Sequence, residues 1–94
     1  MEKHVNIGDV VVSTAGRDQG KYFLVITVQN TIAYITNGRE RKVTALKKKN
    51  IKHLRTVSKF TGIDLANAIS NGKPVGNQRI YTLVKAEKQK LQED

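Results

Sequence analysis

From Tyr22 to Val28 the chain carries no charge, and both of its faces are apolar when it is drawn as a strand. Tyr22, Leu24, Ile26 and Val28 fall on one side, and Phe23, Val25 and Thr27 on the other. A strand with one wet face alternates polar with apolar; one without that alternation needs cover on both sides. The expectation is a strand with one face in the interior of a small barrel and the other partly covered. With 94 residues, 38% of them hydrophobic, there is material for one domain and one modest core.

The neighbouring segments support a β-rich first half. Ile7, Val10 and Val12 begin an extended run. Gln29-Asn30 is a tight turn into Ile32 to Thr36. Asn37-Gly38 is a stronger turn signal, because both residues tolerate positive φ. Arg39 to Thr44 is then predicted to pair back as a polar edge strand, and Ile51 to Val57 is a fifth strand candidate. Several short strands with close turns favour a barrel over a helical bundle.

The second half changes period. Thr61 and Asp64 have the spacing of a capping box, followed by Ile63, Leu65, Ala66 and Ile69 at helical intervals. Gly72 suits a left-handed cap and Pro74 bars continuation. Asn77 is placed to cap a second helix with Ile80, Leu83, Val84 and Leu91 as its apolar stripe and Glu87, Lys88 and Lys90 facing water. A two-helix segment this short cannot build its own core. The chain is therefore expected to be a single domain over 1–94, a barrel over 5–57 with two helices of a 61–91 extension packed on it.

Charge is distributed unevenly. Nine of the seventeen basic residues lie between positions 39 and 59 with one acid, Glu40, so this stretch carries +8 of the chain's +9. Solubility does not require such concentration, whereas a polyanion-binding face does. There is no cysteine, which excludes disulfides and thiolate metal sites, and His4 and His53 are too few and too far apart in sequence for a zinc site. Val10 to Val12 and Tyr22 to Ile26 are far too short to cross a bilayer. Met1-Glu2-Lys3-His4 leads straight into a strand pattern without a signal-peptide pattern, so the expected compartment is the cytoplasm. No serine, histidine and acid fall into a catalytic arrangement, and Gly20-Lys21 opens a strand where a nucleotide-cradling loop would open a helix. No enzyme activity, metal or cofactor is expected.

The most specific segment is Gly8-Asp9-Val10-Val11-Val12-Ser13-Thr14-Ala15-Gly16-Arg17-Asp18-Gln19-Gly20-Lys21-Tyr22-Phe23-Leu24-Val25-Ile26, two strands flanking a loop with glycines four residues apart. It resembles the KOW motif of ribosomal proteins and antiterminator-type transcription factors. Lys47-Lys48-Lys49-Asn50-Ile51-Lys52-His53-Leu54 is similar to the basic segment after the barrel strands in bacterial KOW-domain proteins akin to the large-subunit ribosomal proteins of the fourteen-e type. Gly62-Ile63-Asp64-Leu65-Ala66 and Asn77 to Lys85 resemble that family's helical tail, although Ile80-Tyr81-Thr82-Leu83-Val84 is more apolar than the usual charged helix. The resemblance implies an SH3-like barrel, RNA binding and association with the ribosome or its assembly.

On that reading the loop around Gly16 and Gly20 and the basic stretch form one surface for structured RNA, ribosomal RNA of the large subunit above all. Arg17, Lys21, Arg39, Arg41, Lys42, Lys47, Lys48, Lys49, Lys52 and Arg55 are the candidate phosphate contacts, the arginines suited to bidentate contacts and the lysine run to diffuse attraction. His53 is a candidate for stacking or for donating to a 2′-hydroxyl, and equally a half-buried strand residue. The five aromatics, Tyr22, Phe23, Tyr34, Phe60 and Tyr81, are expected in the core. Their scarcity favours recognition of structured RNA over single-strand stacking. Two other partners fit the sequence: a ribosomal protein or polymerase docked near Ile80 and Leu83, or DNA. Nothing in the sequence requires more than a monomer.

Overall fold

The computed structural model describes residues 4–92. Its elements are β1 (Val10–Ser13), β2 (Tyr22–Gln29), β3 (Ile32–Thr36), β4 (Lys47–Asn50), a 3-10 turn (Ile51–His53), β5 (Leu54–Ser58), α1 (Ile63–Ser70) and α2 (Asn77–Gln92). The strands form one antiparallel sheet in the order β4-β3-β2-β1-β5. The protein is mainly β with a helical tail.

The connection from β4 to β5 sets the sheet's shape. These strands lie at opposite edges, about 19 Å apart if the sheet were flat. Three residues of 3-10 helix join them, and this advances the chain only about 8 Å. The sheet must therefore curl until its edges approach. Ile51 N–H donates to Thr31 O (2.8 Å) and Thr14 N–H to His53 O (2.9 Å), tying the turn to the loops on both sides.

Curling divides the apolar residues into two clusters. Val5, Val11, Phe23, Val25, Ala33, Ile35 and Leu54 fill the inside. Val10, Leu24 and Ile26 face outward and are covered by Leu65 and Ala66 of α1 and Ile80 and Val84 of α2. The two-sided apolar pattern of β2 is thus satisfied, with one departure. The β2–β3 register shifts between Val25 and Thr27. The extra residue reverses the alternation, so Val28 packs with the inner cluster instead of beside Ile26.

The strand predicted at Arg39 to Thr44 is absent. Asn37 Oδ1 accepts from Arg39 N–H and Arg41 N–H (both 3.0 Å), and Asn77 Oδ1 accepts from Val43 N–H (2.8 Å). Alternate amides that a strand would offer its neighbour are claimed by asparagine side chains, and the segment folds as a loop. Gly38 is required there: its φ is +75°, and a Cβ would lie 2.2 Å from Asn77 O, against which the loop seats. The fifth strand starts at Leu54 because Asn50 caps Ile51–His53 as a 3-10 turn through Lys52 N–H.

The helices also depart in detail. Gly62 occupies the N-cap of α1 with no side-chain cap, and Thr61 Oγ1 instead shares a hydrogen bond with Ser58 Oγ. Asp64 still favours the first turn through the helix dipole. Gly72 adopts the expected left-handed conformation (φ +76°). α2 is long, at 16 residues. Glu87 is buried, not wet; Lys90 beside it, against the opposing effect of burial and with help from Ser58, holds its carboxyl below the usual range. Leu91 is exposed, because the buried side of α2 ends at Glu87. Phe60 is 52% exposed at φ +59°, contrary to the core placement expected of aromatics. The fully buried Asp9 carboxylate fixes that bend by accepting Phe60 N–H (3.0 Å) together with Asn6 N–H (2.9 Å).

Candidate functional site

The β1–β2 loop is closed by Ser13 N–H to Lys21 O (2.9 Å) and Gly20 N–H to Ser13 O (2.8 Å), with Gly16 and Gly20 both at positive φ (+83° and +88°). This folds Asp18 inward. Its carboxylate is 6% exposed and accepts from Ser13 Oγ (2.6 Å) and Lys49 Nζ (2.8 Å), while Lys47 Nζ stands 2.8 Å from its other oxygen. Lys49 Nζ also donates to Ala15 O (2.7 Å). Burial works to raise the Asp18 pKa, but the hydrogen bonds from Lys47, Lys49 and Ser13 outweigh it and hold the carboxyl far below the usual carboxylate range.

Strand alternation explains the geometry. Lys47 and Lys49 pair opposite Ile35 and Ala33, both inner-cluster residues, so their side chains share the inner face of β4. Lys48 points the other way, with its Nζ 5.8 Å from the Tyr34 ring. The lysines expected to act as one run are therefore divided. Lys49 is a pin beneath the loop, Lys47 is partly committed to the same acid, and Lys48 belongs to the opposite face.

Other candidates do converge. Arg17, Lys21, Arg41 and Lys47 line a small cavity of about 150 Å³ floored by Phe23, with Asp18 and Glu40 as its acids. Lys21 forms an ion pair with Glu40. Both residues also line a second cleft of about 290 Å³ on the neighbouring side, where Arg39 is joined by Tyr22, Tyr81, Lys85 and Lys88. The two cavities make one continuous basic surface, running from the β1–β2 loop across the 37–46 loop to α2. Lys42, Lys48, Lys52, His53 and Arg55 line neither cavity. His53 is half-buried and Arg55 is exposed on β5 opposite Val12.

Lys85 and Lys88 are additions that the linear charge pattern hid. They sit outside the basic stretch, in a helix of mixed charge, and reach the surface only because α2 packs against β2. Their signal was helical spacing: Tyr81, Lys85 and Lys88 fall on one flank, at i, i+4 and i+7. No family model matches the chain. Among the described residues, no helix is long and apolar enough to cross a membrane, and no group of three or more histidines and acids is placed to hold a metal.

Proposed function

We propose that this protein binds structured RNA without catalysis, as a ribosome-associated protein of translation or large-subunit assembly, on a barrel of SH3-like, KOW-type architecture. The observation that carries this is the gathering of Arg17, Lys21, Arg39, Arg41, Lys85 and Lys88 on one surface around a glycine-containing loop. Exposed cations of one sign raise the local potential, and phosphates relieve it with release of counterions. The strand order, the 3-10 connection and the curl of the sheet support the barrel assignment. The loop's role is indirect: Asp18 and Lys49 hold it rigid, so that Arg17 is presented from a fixed base.

Sedimentation of a cell lysate through gradients at low and high salt tests this. Co-migration with the large ribosomal subunit at low salt, lost at high salt, is expected. Free migration at every salt concentration contradicts it. One observation favours a second reading, docking on a ribosomal protein: a groove of about 610 Å³ between the helices, lined by Leu65 and Leu83. Ile80 takes no part, being fully buried. That reading predicts ribosome association that survives salt but is lost in Leu83→Glu.

A further inference from the structure

We infer that the cleft between α2 and the 37–46 loop takes a single unpaired nucleotide of the bound RNA, its base stacked on the Arg39–Tyr81 pair and its phosphate held by Lys85 and Lys88. This rests on the RNA-binding reading and adds a second mode of contact to it.

The cleft differs from an ordinary solvated face. Arg39 Cζ lies over the Tyr81 ring, 4.0 Å from its centroid, a close cation–π contact. Arg39 itself is exposed, within reach of a further planar group. Unstacked RNA bases dock in this way, on aromatic rings and on guanidinium planes. Lys85 Nζ lies 5.8 Å from the same ring and Lys88 Nζ 5.5 Å from the ring of Tyr22, which lines the floor. Four cations thus surround two tyrosines with one acid, Glu40, and that acid is engaged with Lys21.

A purely structural account of α2 does not predict this flank. Lys85 and Lys88 are like charges at i, i+3, an arrangement that costs helix stability. Glu87 lies between them in sequence, yet it turns to the other side to meet Lys90 (2.9 Å). The flank is left with cations unopposed within the helix. At about 290 Å³ the cleft is at the lower limit of small-ligand sites, which suits one base with its phosphate.

The test compares two hairpin RNAs of equal length and charge, one fully paired and one with a single bulged 2-aminopurine. Wild-type protein should bind the bulged hairpin more tightly by at least about fivefold and quench the 2-aminopurine on binding. Arg39→Gln and Tyr81→Phe should separate the contributions. The first should abolish both the preference and the quenching, and should weaken the paired hairpin only by the loss of one phosphate contact, so that the bulged hairpin loses more. The second keeps the ring and the fold and should retain both. Free adenosine monophosphate should compete for the bulged hairpin only at millimolar concentration.

Equal affinity for the two hairpins, no quenching, or equal loss for both RNAs in Arg39→Gln would show that the cleft supplies only diffuse charge. Each would overturn the nucleotide site while leaving RNA binding intact. Saturation by micromolar free nucleotide would assign the cleft to a small metabolite and overturn it likewise. Failure to bind either hairpin at low salt would remove both this inference and the RNA-binding reading.

Discussion

Asp18 shows how one side chain decides what its neighbours can do. Placed between Arg17 and Lys21 in sequence, it reads as a local partner for one of them. It is instead buried and paired with Lys47 and Lys49, across the width of the sheet. The clue available in the sequence was the period of two that puts Lys47 and Lys49 on one strand face. What was missing was the inner side of β4, which only the register with Ala33 and Ile35 supplies. Asp18→Asn should leave a largely buried ammonium at Lys49 without its counter-charge, at a cost of about 2–4 kcal/mol. Because the Asp18 pKa is depressed in the folded state, its contribution is complete above the ordinary carboxylate range and fades as pH falls below it. Denaturant midpoints of wild type and Asp18→Asn should therefore differ at pH 7, begin to approach one another only below about pH 4 and keep closing as the pH falls further. A constant difference across that range would show that the acid's charge is not what matters.

Among the elements, β2 was the most legible, because a run apolar on both faces admits few environments. Its bulge at Ile26 was not, since nothing in the composition marks where a ladder takes an extra residue. The Arg39–Thr44 segment fits an edge strand by its polar, β-tolerant residues. Asn37 and Asn77 decide otherwise, and Asn77 acts from 34 residues away from Val43. With the segment folded as a loop, Arg39 and Arg41 are brought beside the β1–β2 loop and α2 instead of along an edge. β4 sends alternate lysines to opposite faces, so charge reversal there should depend on position. Lys48→Glu should change RNA affinity little, whereas Arg41→Glu, in the cavity with Arg17 and Lys21, should weaken it roughly tenfold or more. Fluorescence titration with one structured RNA checks the pair. Equal losses would place the binding surface elsewhere on the sheet.

For the molecule as a whole, the sequence located the excess charge in one stretch, and folding redistributes it. Lys49 goes beneath the loop, Lys48 to the opposite face, and two lysines of α2 join from outside the stretch. The outcome is a surface defined by packing, with the curled sheet as its frame and α2 as one wall. The central claim is that Arg17, Arg39 and Arg41 on this surface neutralise RNA phosphates. The salt dependence of affinity measures that directly, since each lost phosphate contact lowers the slope of log Kd against log salt by about 0.9 on the DNA-derived scale. For a structured RNA, the Arg17→Gln, Arg39→Gln, Arg41→Gln triple variant should bind more weakly at low salt, with a slope shallower by about 2–3 than wild type. An unchanged slope in a folded triple variant would contradict the account.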